Sequence, residues 1–175
     1  AMTSEEDLRK YLAENGFSIE LACSIVGNRY EDLKNAVGNS AKIHTVRLER
    51  NPFTFNNLNG YKDMKKLLAE NKYDLIVLDP PAFAKHRDAV KNALRGYQRL
   101  NAKGIQSIRP GGILFTFSCS QAIDKEMFRL AVFSAAAQVG RRVRILHQLH
   151  QPADHPINIY HPEGEYLKGL VLEVE

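Results

Sequence analysis

The sequence contains few cysteines. Its 175 residues hold two, Cys23 and Cys119, which is too few for the disulfide framework of a small secreted protein. Neither cysteine has neighbours at the spacing of a metal site. The histidines between residues 147 and 161 match no metal-ligand pattern either, so surface or structural roles are favoured for them. These absences predict a protein of the reducing cytoplasm that holds no metal.

Long apolar segments are also missing. No run approaches the roughly eighteen apolar residues that a membrane helix needs, and the first residues lack the apolar core of a signal peptide. No repeat, linker or low-complexity tract interrupts the chain. A chain of this length can bury one hydrophobic core, so we expect a single domain over residues 1–175 without a membrane partner.

Positive charge is concentrated in one segment. The chain has a formal net charge of +4, but residues 85–109 alone carry seven Lys or Arg side chains against one acid. That segment is therefore +6 and the rest of the chain is −2. Such a segment is typical of a surface that contacts a polyanion. The alternative interpretation is an ordinary solvated helix face.

Strand patterns alternate with helical patterns along the chain. The strand patterns lie at 18–27, 42–49, 74–79, 111–118, 141–149 and 167–174, and the helical patterns at 5–15, 30–37, 61–71, 88–108 and 126–139. This alternation predicts an α/β domain with a mostly parallel sheet. The last two strand patterns have no clear helix between them, which favours antiparallel pairing.

Two motifs follow successive apolar strands. Asp79 ends the run “DLIVLD”, and Cys119 stands in a Ser-Cys-Ser motif after “GGILFTF”. Ligands of open α/β sheets gather outside the carboxyl ends of the strands. Strands joined by a helical crossover are often neighbours, so we expect the carboxylate and the thiol to face one crevice.

The residues after Asp79 suit a planar ligand. Pro80 and Pro81 stiffen the turn and cannot donate a backbone hydrogen bond, which leaves nearby carbonyls free to accept one. Phe83 could offer a stacking surface. The alternatives are a plain turn for the Asp-Pro-Pro motif and a buried small apolar residue for Cys119.

Longer motifs resemble a known family. The segments “DLIVLDPPAFAK”, “ALRGYQRLN”, “IRPGGILFTFSCS”, “GRRVRILHQLHQPADHPI” and “PEGEYLKGL” resemble the carboxyl-terminal part of bacterial 23S ribosomal RNA 5-methylcytosine methyltransferases, over residues 73–175. The resemblance implies a shortened, Rossmann-like fold of the class I methyltransferase type, with helices on both faces of the sheet. It also implies S-adenosylmethionine as cofactor and ribosomal RNA as partner.

The resemblance implies roles for individual residues. Cys119 would add to C6 of cytosine, which makes C5 nucleophilic enough to accept a methyl group, and Asp79 would contact N3 or the exocyclic amine. Pro80, Pro81 and Phe83 would line the base site, and the target base would have to leave its stack. Four basic residues that recur at every fourth position, over about 18 Å of helix, would contact phosphates: Lys91, Arg95, Arg99 and Lys103.

The amino-terminal half departs from the family pattern. Gly27 and Asp79 are the candidate cofactor residues, but Gly27 is the only glycine of the turn “ACSIVGNRY”, where the family has a glycine-rich loop. Arg47 stands where an acid is expected, and residues 50–60 are too few for the usual helix and strand. A degenerate pocket, a shortened or rearranged chain, or another alignment would explain this. The alternative function is therefore a methyltransferase-like domain without cofactor, acting at most as an RNA-binding module.

Overall fold

The computed structural model describes residues 14–16, 18, 20–24, 34–35, 42–46, 62–63, 65–69, 73–84, 89–153 and 155–175. Several predicted features lie outside these residues. They are Gly27 and its turn, Arg47, residues 50–60, and most of the two helical patterns that precede residue 40.

The chain divides into two compact units, Ala1–Leu67 and Leu68–Glu175. In the first unit, strand β1 (Glu20–Ser24) pairs in parallel with β2 (Lys42–Val46). These strands confirm the patterns predicted at 18–27 and 42–49. The candidate site residues that the structure describes all belong to the second unit, and the single domain remains a prediction.

The second unit contains a four-stranded sheet. Its strands are β3 (Tyr73–Leu78), β4 (Ile108–Ser118), β5 (Val143–Leu149) and β6 (Lys168–Val174), and a short 3-10 helix, Pro162–Gly164, precedes β6. The order across the sheet is β3-β4-β6-β5. β3 and β4 are parallel, whereas β6 is antiparallel to both of its neighbours. The antiparallel pairing of the last two strands is confirmed, but this sheet is mixed and not mostly parallel, because β6 enters between β4 and β5.

Two helices cover one face of this sheet. α1 (Val90–Ser107) and α2 (Lys125–Val139) pack against each other. α1 approaches the sheet at Gly104, where an added Cβ would lie 2.9 Å from Leu78 and 3.2 Å from Leu114. On the opposite face, Leu75 and Val77 are 54% and 56% exposed. Of the helices expected on both faces, the described part of this unit therefore shows those on one.

The ends of α2 follow from its sequence. Asp124 precedes the helix, and its carboxylate accepts a hydrogen bond from the Met127 amide at 2.7 Å, which caps the first turn. Gly140 ends the helix with φ +73°, the left-handed conformation that glycine adopts without strain. The turn before α2 contains Cys119, so the cap helps to fix the candidate site.

Candidate active site at the carboxyl edge of the sheet

Cys119 and Asp79 follow neighbouring parallel strands. Leu78, the last residue of β3, is in register with Thr116 of β4, so the two chains leave the sheet at the same edge. The Sγ atom of Cys119 lies 3.9 Å from the carbonyl oxygen of Pro80, within reach of a weak S–H···O hydrogen bond. The thiol is half-buried and unbonded to other cysteines, and Asp79 is exposed. An exposed carboxylate and a half-buried thiol therefore follow neighbouring strands at one edge of the sheet.

The two serines that flank Cys119 point into the protein. Ser118 and Ser120 are fully buried, and each hydroxyl lies 2.9 Å from the hydroxyl of Tyr97 on α1. The Ser120 hydroxyl also accepts a hydrogen bond from the Ala84 amide at 3.2 Å. Because side chains alternate along an extended chain, two inward serines turn the Cys119 side chain away from the buried network. The network joins the Cys119 turn, the Asp79 turn and α1.

Phe83 packs against α1. Its ring centroid is 4.6 Å from that of Tyr97 at an interplanar angle of 38°, and its ring also covers Gly96, where an added Cβ would lie 3.0 Å away. The side chain remains 37% exposed. Part of the ring is therefore in use within the protein. The exposed part of the Phe83 ring is the surface left for the predicted stacking contact. Pro81 is exposed, whereas Pro80 is half-buried.

Lys168 is a residue of this region that the sequence interpretation missed. It is the first residue of β6, opposite Ser118, and 7% exposed. Its ammonium donates to the carbonyls of Ser120 and Ile123, both at 2.7 Å. Burial lowers the pKa of Lys168, whereas the negative charges of the Cys119 thiolate and Asp124 oppose that shift. The signal that could have found it is a lysine in the apolar strand “LKGLVLEV”.

The four basic residues of α1 are not equivalent. Lys91, Arg95 and Arg99 are exposed, whereas Lys103 is half-buried and donates to Gln106 at 2.8 Å. A four-residue step turns an α-helix by about 400°, so the row drifts about 120° around α1 from Lys91 to Lys103. α1 also runs away from the carboxyl edge of the sheet, because it leads to the start of β4. Lys91 is therefore near the candidate site, and Lys103 lies about 18 Å further along the helix.

The described residues were also compared with the features of a metal site, a membrane helix and a cofactor site. They contain no group of three or more His, Cys, Asp or Glu side chains arranged to hold a metal ion. His147, His150, His155 and His161 are all exposed. In that same part of the chain, no helix is long and apolar enough to cross a membrane. The candidate cofactor residue Gly27 is outside the described residues, which leaves Asp79 as the candidate that the structure describes.

The chain is similar to ribosomal RNA methyltransferases. It is 42% identical over 145 residues to the ribosomal RNA large subunit methyltransferase I of Shewanella frigidimarina (strain NCIMB 400), an alignment that covers 75% of this chain and 36% of that protein. With the enzyme of the same name from Tolumonas auensis it is 47% identical over 116 residues, which covers 63% of this chain and 29% of the other. A match to 75% of the chain is longer than residues 73–175, so the similarity extends into the part of the sequence before Tyr73.

Solved structures show the fold. SMU.776 complexed with SAH superposes with a TM-score of 0.58 at 14% identity, covering 97% of this chain and 49% of that one. A methyltransferase homolog protein from Pyrococcus horikoshii gives 0.51 at 16% identity, covering 96% and 65%. No protein-family model matches the chain. The chain spans 29–36% of the length of the two curated relatives above, and its fold is the Rossmann-like fold of class I methyltransferases, in a shortened form.

Proposed function

We propose that this chain is the catalytic part of an S-adenosylmethionine-dependent methyltransferase that acts on cytosine C5 of ribosomal RNA. The observation that carries the proposal is the meeting of Cys119 and the Asp79 turn at one sheet edge, with Sγ 3.9 Å from the Pro80 carbonyl. The similarity to proteins named ribosomal RNA large subunit methyltransferase I supports the substrate class.

The chemistry of cytosine explains why both residues are needed. C5 is a weak nucleophile until a thiolate adds to C6, because the new S–C6 bond moves the electron pair of the C5–C6 double bond toward C5. Cys119 would form that bond. Asp79, exposed at the end of β3, would accept a hydrogen bond from the exocyclic amine and orient the ring. After C5 is methylated, loss of the C5 proton and cleavage of the S–C6 bond restore the aromatic base and the free thiol.

The edge also suits the cofactor. S-adenosylmethionine, when bound, supplies an electrophilic methyl group. The exposed Asp79 carboxylate is an acceptor for its amino or hydroxyl donors. Prolines at positions 80 and 81 add no N–H that would compete for the carboxylate. SMU.776, which shares this fold, is complexed with SAH.

The basic residues of α1 would hold the RNA. Lys91 and Arg95 lie on the first turns of the helix, near the candidate site, and would contact phosphates next to the target base. Arg99 and Lys103 would be reached only by RNA that continues along the outer side of α1. Replacing one phosphate-binding side chain with alanine should reduce the salt dependence of RNA binding by about one unit of slope.

The two cysteines allow a matched test. Cys119→Ala should reduce transfer of labelled methyl groups from S-adenosylmethionine to 23S ribosomal RNA to background, whereas Cys23→Ala should keep the wild-type rate. Equal rates for the wild type and Cys119→Ala would reject the nucleophile. The second candidate function, an RNA-binding module without cofactor, is favoured by the single glycine, Gly27, in the amino-terminal turn. Absence of binding heat with millimolar S-adenosylmethionine in calorimetry would support it instead.

A further inference from the structure

Lys168 holds the turn that follows Cys119. This turn runs from the end of β4 to Asp124, and its carbonyls at Ser120 and Ile123 both accept hydrogen bonds from the Lys168 ammonium at 2.7 Å. The lysine reaches them from β6, where it faces Ser118 across the strand pair. Its two acceptors follow Cys119 by one and four residues, so the side chain spans the turn.

Burial of this ammonium is costly to the folded state. A buried charge is disfavoured unless it is paired or hydrogen-bonded, and an apolar side chain of similar size is often at least as stabilising in such a place. Lys168 is 7% exposed, and the structure shows hydrogen bonds from it to neutral carbonyls. Sheet packing alone therefore does not explain a lysine at this position.

The neighbouring charges are engaged in other contacts. The Asp124 carboxylate caps α2 through the Met127 amide, and Lys125 forms an ion pair with Glu165. Asp79 is exposed and precedes Pro80 in the chain. Among the described residues, no carboxylate lies within 4.0 Å of the Lys168 ammonium. The ammonium donates instead to the carbonyl of Ser120 at 2.7 Å, which places its charge at the residue that follows Cys119.

We propose that Lys168 is a positioning residue for Cys119. It fixes the turn through two carbonyls and keeps a positive charge beside the thiolate form of Cys119. The inference rests on the proposed function in that it takes this thiolate as the nucleophile. A nearby positive charge favours the thiolate form of a cysteine, which is the form that reacts. The causes that act on the pKa of Lys168 agree with this geometry. Burial lowers that pKa, and the negative charge of the Cys119 thiolate opposes the lowering.

Alkylation of Cys119 tests the inference without cofactor or RNA. The rate of its reaction with iodoacetamide is followed by peptide mass spectrometry across a range of pH, in the wild type and in Lys168→Met. We expect the variant to react several-fold more slowly at neutral pH, because the thiolate loses a positive charge near it. We expect Lys168→Arg to recover most of the rate. Lys125→Met, which removes an exposed lysine near the same turn, serves as the matched control and should react at the wild-type rate.

An unchanged rate and pH profile in Lys168→Met would overturn the inference. If that variant does not fold, Lys168→Gln takes its place, because glutamine can still donate to the carbonyls but carries no charge. Slow alkylation of the folded Gln variant supports the inference, and wild-type alkylation overturns it. Failure of the proposed function gives a different result: methyl transfer absent from the wild type, with alkylation still dependent on Lys168.

Discussion

The hydroxyl of Tyr97 is the centre of the buried network behind the candidate nucleophile. Tyr97 is 0% exposed, and its hydroxyl lies 2.9 Å from the hydroxyls of Ser118 and Ser120. Tyr97→Phe removes both hydrogen bonds and leaves the ring in place. A buried polar group that loses its partner costs about 1–3 kcal/mol. Since each serine keeps a second contact, to the backbone amide of Ala84 or Ser120, we expect a loss of about 2–4 kcal/mol in the free energy of unfolding.

Urea denaturation followed by circular dichroism measures this loss. With an m value of about 2 kcal/mol per M, the midpoint should fall by roughly 1–2 M. Tyr160→Phe is the matched control, because Tyr160 is 86% exposed and a surface change of this kind should stay within about 0.5 kcal/mol. If Tyr97→Phe also stayed within that limit, the two serines would not depend on the tyrosine, and the explanation of how Cys119 is turned outward would be wrong.

Two further predictions concern the packing of α1 and the charge of Lys168. Gly104→Ala would bring a Cβ to 2.9 Å from Leu78 and 3.2 Å from Leu114. Thermal denaturation should therefore show that overpacking lowers the free energy of unfolding by about 1–3 kcal/mol, less up to about 1 kcal/mol that the higher helix propensity of alanine returns. Gly164→Ala, with no atom within 4 Å of the added Cβ, is the control, and a stabilised Gly104→Ala would contradict the packing. Burial lowers the pKa of Lys168 from its ordinary value of 10.5, so between the folded and unfolded pKa values the unfolded chain binds more protons and stability rises with pH. The free energy of unfolding of the wild type, minus that of Lys168→Met, should therefore increase as pH is raised from neutral toward 10.5. A difference in urea midpoints that stays constant or decreases over this range would refute the prediction.

The strands and helices follow the sequence pattern closely, whereas the order of the strands does not. The apolar run at 74–79 is strand Tyr73–Leu78, and the helical pattern at 88–108 is helix Val90–Ser107. The motif “RPGG”, whose residue types are typical of a turn, lies inside β4 instead: the register with β3 shifts between Tyr73 and Leu75, and Gly111 has φ +81°. A bulge and a turn need the same residue types, because both require backbone conformations that glycine tolerates. Strand order depends on contacts distant in the chain, so the entry of β6 between β4 and β5 could not be predicted from local pattern.

In the candidate site, too, the local motif predicts the position of Cys119 but not the distant residues that hold its turn. The position of Cys119 after an apolar strand predicts its place at the sheet edge. The Ser-Cys-Ser pattern adds that two small polar side chains alternate with the thiol, and if the serines are buried they require hydrogen-bond partners. The partner of both serine hydroxyls is Tyr97, which lies 21 residues before Ser118 and 23 before Ser120. The backbone carbonyl of Ser120 is bound by Lys168, 48 residues further along the chain. Both Tyr97 and Lys168 stand in otherwise apolar patterns of a helix and a strand, where each would pass as ordinary packing. A polar group in an apolar pattern can therefore mark a residue that supports a site, and only the fold identifies which site it supports.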